Sequence, residues 1–119
     1  MKTRAFTLIE IMIVVGIIAM LVAIAIPNFT RNSATAKRQT CISNLHHIQM
    51  ATQQWALETR QSETATVTPA DILPYLQGVV VCPSGGTTFA DSYSVTAINA
   101  NPVCLKVPST HKLPAETTQ

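Results

Sequence analysis

The sequence predicts an α+β fold in which one long N-terminal helix packs on a small antiparallel β-sheet. Three observations carry this prediction. Residues 6–26 are almost entirely apolar, residues 41–55 carry an apolar stripe at helical spacing, and residues 79–107 alternate β-branched segments with turn residues. With 119 residues, the chain has room for one domain beyond its apolar start.

The apolar run is long enough to cross a membrane. It contains 18 apolar residues out of 21, and a helix of that length measures about 31 Å, close to the thickness of a bilayer's hydrocarbon core. The interruptions are Thr7, Glu10 and Gly16. Lys2 and Arg4 precede the run closely, which favours a cytoplasmic N-terminus.

The composition excludes several classes of protein. Charged residues make up 12% of the chain, roughly half the usual share of a soluble domain, whereas residues 28–119 have an ordinary apolar content of 36 in 92. The apolar content is too high for a chain disordered throughout. The length argues against a multi-domain enzyme, and a net charge of +2 argues against nucleic-acid binding driven by bulk charge.

The helix is predicted to continue beyond the apolar run, over roughly residues 7–58, with a bend near Pro27. Proline lacks an amide hydrogen and tends to kink a helix. The stripe consists of Cys41, Leu45, Ile48, Thr52 and Trp55, at spacings of 4, 3, 4 and 3 residues. One face of this second half should therefore be buried, with Trp55 in the core.

The remainder of the chain reads as short elements joined by turns. Residues 61–68 form a polar loop, and residues 69–73 start a short helical turn that Pro74 limits. Strands are predicted at residues 79–81, 87–89, 93–98 and 103–107. Turns at residues 83–86 and 99–102 would connect them into a sheet of three or four strands, and residues 114–119 should be loose.

Three cysteines cannot all pair within one chain. We predict a disulfide between Cys82 and Cys104. It would close a loop of about 23 residues and stabilise the domain formed by residues 28–119 by roughly 3 kcal/mol. Such a bond fits a compartment outside the cytoplasm. Cys41 would then be a small apolar residue on the buried helix face, although its pairing with one of the other two cysteines is the alternative.

The apolar run by itself permits three interpretations. It is a plain single-span anchor, or a secretory signal cleaved after Ala25, since Ala23 and Ala25 give the small-x-small pattern of a signal peptidase site. The third interpretation rests on Glu10. A carboxylate at the edge of a spanning helix costs on the order of 3 kcal/mol without a partner, so Glu10 either lies in the headgroup layer or pairs with a positive charge of another subunit.

The residues around Glu10 carry a resemblance to a known family. A short basic leader, then Phe6-Thr-Leu-Ile-Glu10, then the apolar run resembles the N-terminus of type IV pilins and type II secretion pseudopilins. The resemblance covers residues 1–29 and implies a pilin-like fold. It implies a leader at residues 1–5, an assembly helix at residues 6–27 and an extracytoplasmic domain at residues 28–119.

The resemblance also assigns roles to individual residues. It implies that prepilin peptidase cuts between Ala5 and Phe6, that Phe6 is then N-methylated, and that Pro27 lies where the family's helix commonly kinks. Glu10 would be the family's carboxylate at the fifth mature position, an assembly residue. The family usually has glycine before the cut, and Ala5 departs from that pattern. Alanine is the next smallest residue, so it should fit, with slower processing.

Simple electrostatics agrees with these roles. Cleavage creates an amine at Phe6, and the Phe6 ammonium of a neighbouring copy would neutralise Glu10 and set the register between copies. Loss of Lys2 and Arg4 leaves 6 basic and 6 acidic side chains, a balance of zero. Such a balance weakens repulsion between copies and so favours self-association.

By resemblance, the chain is a structural subunit that polymerises with itself and with other pilin-like subunits. The implied partners are prepilin peptidase, an inner-membrane assembly platform, an assembly ATPase and, before assembly, membrane lipid. The implied location is the bacterial inner membrane as a single-pass protein, followed by a periplasmic or cell-surface filament. A type IV pilus, a secretion pseudopilus and a DNA-uptake fibre all remain open, so the resemblance leaves nucleic-acid binding undecided.

No pattern in the sequence predicts an enzyme, a cofactor or a metal site. His46 and His47 are adjacent, which is not the i, i+4 spacing of a helical metal site, and His111 is placed in the tail. Asp71 and Asp91 are isolated, so the calcium loop of some pseudopilins lacks enough carboxylates here. No nucleophile has a base and an orienting acid near it in sequence.

Overall fold

The computed structural model describes residues 4–114. The chain divides into two compact units, Met1–Ala34 and Thr35–Gln119. Helix α1, Leu8–Thr59, contributes its first part to one unit and its second part to the other. The prediction of one long helix over roughly residues 7–58 is therefore confirmed, and with it the α+β class. The helix continues through Pro27, and the predicted bend there stays a prediction.

Helix α1 is followed by a residue with an unusual backbone conformation. Arg60 has a φ of 53°, in the left-handed region that glycine usually occupies after a helix. The Gln61 amide then donates to the Ala56 carbonyl at 3.0 Å. This capping arrangement turns the chain away from the helix axis and starts the loop predicted at residues 61–68.

Short elements follow the loop. Helix α2, Pro69–Ile72, is succeeded by a 3₁₀ turn at Leu73–Tyr75, which confirms the short helical turn expected there. Thr68 precedes α2, and its amide donates to the Asp71 carboxylate at 2.9 Å. Because this contact satisfies an amide that the first turn leaves free, it helps fix where α2 begins.

The sheet is smaller than predicted. Strands β1, Tyr93–Ser94, and β2, Val103–Cys104, pair antiparallel, with Tyr93 opposite Cys104. One isolated antiparallel bridge, Thr66 to Ala97, adds a further contact. Among the described residues this is a two-stranded sheet, so the expectation of three or four strands was wrong.

Each strand prediction needs a correction. Residues 79–81 form no strand. Within residues 93–98 and 103–107, only Tyr93–Ser94 and Val103–Cys104 form strands, and Ala97 makes the isolated bridge. Residues 87–89 lead into helix α3, Phe89–Ser92, because Thr88 accepts a hydrogen bond from the Asp91 amide at 3.2 Å and caps that helix. β-Branched composition signals extended backbone, but a ladder also needs a partner strand.

The core of the second unit lies between α1 and the segments that follow it. From α1 it takes Cys41, Leu45, Ile48, Ala51 and the polar Thr52, all buried, which confirms the predicted stripe. From the rest it takes Val67, Ile72, Leu76, Cys82, Tyr93, Cys104 and Leu113. Trp55 is half-buried and packs against this core, in keeping with its predicted place.

Candidate functional site

The N-terminal motif lies at the start of α1. Residues 4–7 precede the helix, so the bond between Ala5 and Phe6 is outside regular structure, and the Phe6 side chain is 78% exposed. The Glu10 amide donates to the Thr7 carbonyl at 3.2 Å and, at 3.4 Å, to its hydroxyl. Glu10 therefore sits in the first helical turn, where the helix dipole favours a carboxylate.

The helix beyond Glu10 exposes its apolar side chains on every face. All residues from 4 to 32 are exposed, and the most apolar window of α1 has a mean hydropathy of 3.0 with none of it buried. By length and composition, α1 can cross a membrane. The same surface is suited to pack against other apolar helices.

Pro27 lies inside this apolar half. Proline has no amide hydrogen, so the Ala23 carbonyl, four residues earlier in the helix, lacks its usual backbone hydrogen bond. Thr30 donates its hydroxyl to the Pro27 carbonyl at 3.0 Å, one turn further along. The helix thus accommodates the proline with a missing backbone hydrogen bond.

A second group of chemically capable residues lies in the other unit. Cys41 on α1, Cys82 before a turn, Cys104 on β2 and His111 near the C-terminus bring one ligand atom each to within 4.8 Å of one another. We call these four residues the Cys₃His cluster. All four are buried, with 0%, 1%, 0% and 5% of their surfaces exposed.

The two predicted disulfide partners lie next to each other in this cluster. The Sγ atoms of Cys82 and Cys104 are 3.6 Å apart, and both residues are free thiols, as is Cys41. A disulfide needs about 2.05 Å between its sulfur atoms. The predicted Cys82–Cys104 bond remains a prediction, with its partners close enough to form it after a small movement.

The loop that carries Cys82 is closed tightly. The Gly86 amide donates to the Cys82 carbonyl at 2.8 Å. A Cβ at position 86 would lie 2.7 Å from the Cys82 nitrogen and 2.9 Å from its oxygen. Only glycine permits this approach, so Gly86 fixes the backbone from which the Cys82 sulfur projects.

The three thiols differ in acidity because their surroundings differ. Burial raises the pKa of Cys41 to about 12. For Cys104, burial also acts to raise the pKa. Hydrogen bonds with the backbone of Val107 and Lys106 and contacts with the other two thiols outweigh this effect, so the net pKa is lowered. Cys104 is therefore more readily converted to a thiolate than Cys41.

His111 is not the tail residue that the sequence suggested. Its Nδ1 atom lies 3.8 Å from the Cys82 Sγ atom. The Arg38 Nε atom donates to the neighbouring Thr110 carbonyl at 3.1 Å and so ties this segment to α1. Burial and the Arg38 charge lower the pKa of His111, which keeps its imidazole neutral. His46 and His47, in contrast, are exposed on α1.

Sequence reasoning missed the Cys₃His cluster. Its members are 41, 22 and 7 residues apart, and no pair has the C-x-x-C or H-x₃-H spacing that signals a metal site. The available signal was weaker: Cys41 lies on the stripe predicted to be buried, in a chain with three cysteines. Residues 1–3 of the predicted leader and residues 115–119 of the predicted loose end lie outside the described residues.

The N-terminal motif matches known proteins. Residues 1–26 match the family model of the prokaryotic N-terminal methylation motif. The type IV major pilin protein PilA of Myxococcus xanthus is 54% identical over 44 residues, which cover 37% of this chain and 20% of that protein. The family-model match ends within the apolar half of α1.

A longer match extends into the second unit. The competence protein ComGC of Bacillus subtilis is 32% identical over 88 residues, which cover 71% of this chain and 86% of that protein. The chain belongs to the type IV pilin and pseudopilin family. The expected resemblance is thereby confirmed, well beyond the residues on which it was based.

Other members of the family are matched over less of their length. The type II secretion system core protein G of Pectobacterium carotovorum is 32% identical over 79 residues, which cover 61% of this chain and 51% of that protein. The pilin-like chain thus spans about half of that relative and a fifth of the Myxococcus pilin. No solved structure matches it significantly.

Proposed function

We propose that this pilin-like chain is a structural subunit that polymerises through its apolar helix into a type IV pilus-like or pseudopilus-like filament. The single observation that carries the proposal is the fully exposed apolar half of α1, with Glu10 in its first turn. An apolar surface of this size needs lipid before assembly and other helices after it. Before assembly the chain is a single-pass inner-membrane protein with a cytoplasmic N-terminus.

Maturation follows from the position of Ala5 and Phe6. Prepilin peptidase cleaves between them, and the new Phe6 amine is methylated. The exposed, non-helical backbone at residues 4–7 supports this step, since a peptidase must bind its substrate in an extended form. An inner-membrane platform and an assembly ATPase then extract the subunit and add it to the filament.

Glu10 directs the addition of each subunit. The Phe6 ammonium of a neighbouring copy, or of another pilin-like subunit, pairs with the Glu10 carboxylate inside the packed helices. Each charge alone would be costly in apolar surroundings, whereas the pair is tolerated. Because one charge is at residue 6 and the other at residue 10, the contact is head-to-tail, and contacts of this kind build an open helical filament when the rotation between copies does not close a ring.

The experiment compares Glu10→Gln with Glu58→Gln. Both variants remove one carboxylate from α1, but Glu58 lies at the far end of the helix, beyond the apolar run. We expect Glu10→Gln to be inserted and cleaved normally yet to lose filaments in electron micrographs, while Glu58→Gln retains them. Normal filaments from Glu10→Gln would contradict the role of Glu10.

The N-terminal mass of the purified protein is measured in the same samples. A methylated Phe6 terminus is expected in the wild type and in both variants. A terminus at Ile26 would mean a secreted domain released by signal peptidase after Ala25. A terminus at Met1 would mean a permanent single-span anchor, so either result contradicts the proposed processing.

A further inference from the structure

We propose that the Cys₃His cluster is a structural zinc site that joins the helix to the C-terminal half of the globular unit. Three sulfur atoms and one imidazole nitrogen converge from four separate segments of chain to within 4.8 Å. All four residues are buried. Such convergence is difficult to attribute to apolar packing alone, because a buried histidine needs a partner for its polar nitrogen atoms.

The spacing of the ligand atoms fits a tetrahedral ion. With Zn–S bonds of about 2.3 Å and Zn–N bonds of about 2.0 Å, tetrahedral ligand atoms lie roughly 3.5–3.8 Å apart. The Cys82 and Cys104 Sγ atoms are 3.6 Å apart, and the Cys82 Sγ and His111 Nδ1 atoms are 3.8 Å apart. The remaining pairs lie within 4.8 Å of one another, so a contraction of up to about 1 Å would let the cluster surround one ion.

The types of ligand indicate which metal ion the cluster would bind. Three thiolates and one imidazole form a closed set typical of structural zinc, with no position left for a substrate or water. On binding, the three thiols release three protons to solvent, and the site carries one net negative charge. Arg38, which is bonded to the Thr110 carbonyl beside His111, supplies a nearby positive charge.

A second layer of contacts holds the sulfur ligands in place. The Tyr93 hydroxyl, on a side chain only 2% exposed, donates to the Cys41 Sγ atom at 3.6 Å. Asn44 in turn donates to the Tyr93 hydroxyl and to the Val81 carbonyl, both at 3.0 Å. Zinc sites characteristically have such outer hydrogen bonds, which orient their ligands.

The position of the cluster explains why this unit would use an ion. Its sheet pairs two residues per strand, and Cys41, Cys82, Cys104 and His111 come from α1, a turn, β2 and the terminal segment. One ion would crosslink all four, which a single disulfide cannot do. Small domains with thin cores commonly depend on such a crosslink.

Zinc and the predicted disulfide are mutually exclusive, because they use the same two sulfur atoms. Formation of a Cys82–Cys104 bond removes two electrons and two protons and requires an external oxidant. It would leave Cys41 and His111 as two ligands, too few to hold the ion. Cys41 therefore distinguishes the two states, since only the zinc site needs it.

The first test measures metal content in the full-length chain, purified in detergent without chelator. We expect about one zinc ion per chain by inductively coupled plasma mass spectrometry, and loss of that zinc in Cys41→Ser and in His111→Asn. His47→Asn, on the exposed face of the same helix, is the matched control and should retain zinc. Retention of zinc by Cys41→Ser would overturn the proposal.

The second test avoids variants, which can fail to fold. Cobalt added to the zinc-depleted wild-type chain should give the visible absorption of a tetrahedral ion and a thiolate-to-cobalt charge-transfer band. Added zinc should abolish both. An octahedral cobalt spectrum, iron or copper in place of zinc, or a Cys82–Cys104 disulfide found throughout the metal-free native protein by non-reducing peptide mapping would overturn the assignment.

Discussion

The two halves of α1 share one backbone conformation and differ in where their apolar side chains lie. Residues 8–32 are densely apolar and entirely exposed, whereas residues 41–55 are mixed in composition and bury a stripe. The half that is richer in apolar residues thus buries less within its own chain. Burial in a single chain depends on the pattern of apolar residues, and a uniform apolar surface is suited to a partner outside the chain.

A matched pair of substitutions on α1 tests this contrast with the largest expected effect. Ile48 is fully buried and Ile18 is 53% exposed. Ile48→Ala should lower the free energy of unfolding of the globular unit by about 2–5 kcal/mol, while Ile18→Ala should change it by less than about 0.5 kcal/mol. Fluorescence of the single tryptophan, Trp55, during chemical denaturation reports on this unit alone.

In a filament assay, we expect the opposite order, with Ile18→Ala having the larger effect on filament yield. Ile18→Ala removes apolar surface from the half proposed to pack between subunits, so we expect it to reduce filament yield. Equal destabilisation of the globular unit by both substitutions would contradict the conclusion that only the second half of α1 stabilises this unit.

Two glycines extend the comparison with a smaller effect. Gly86→Ala should destabilise the globular unit by roughly 1–3 kcal/mol, because its Cβ would contact the Cys82 backbone. Gly16→Ala, in the exposed half of α1, meets nothing within 4 Å and should leave that stability unchanged. Denaturation followed by Trp55 fluorescence measures both, and an unaltered midpoint for Gly86→Ala would show that the loop around Cys82 is not tightly constrained.

The Glu58 carboxylate near the end of α1 gives the smallest effect. Glu58 accepts hydrogen bonds from the Tyr75 hydroxyl at 2.7 Å and from Gln54 at 3.2 Å, and these contacts, Tyr75 first, lower its pKa. The Glu58 carboxyl group therefore binds a proton less tightly in the folded chain than in the unfolded chain. Any stability from the contact is present above the unfolded-state pKa and is lost as the pH falls through the folded-state value.

Tyr75→Phe should return the pKa of Glu58 toward its ordinary value, as followed by carbon-detected NMR titration. Asp91, whose pKa is lowered by its contacts with Lys106 and Thr87, serves as the internal control, and its pKa should not respond to this substitution. If the Glu58 pKa stays low in Tyr75→Phe, then the hydroxyl is not the cause of its shift.

The sequence predicted the features that depend on local pattern. The long apolar run is evident from composition, and the second half of α1 with its buried stripe from Cys41 to Trp55 follows from periodicity within a few helical turns. The motif around Glu10 is likewise contiguous, and its family assignment is confirmed. These features needed no knowledge of which segments meet in space.

The features that depend on distant contacts were predicted poorly. Residues 79–81 are rich in valine, yet they have no pairing partner in the described chain. At residues 87–92, the spacing of Thr88 and Asp91 signals a helix start, and it overrode the β-branched composition. His111 was placed in the tail because nothing near it in sequence reveals that it reaches Cys82.

The brevity of the sheet has a consequence for solubility at high concentration. Each described strand pairs over two residues, so its free edge offers few backbone groups to a foreign strand. Long, flat edges are the usual template for amyloid-like stacking, and very short ones resist it. A chain built this way can be concentrated with little risk that copies join through their strand edges.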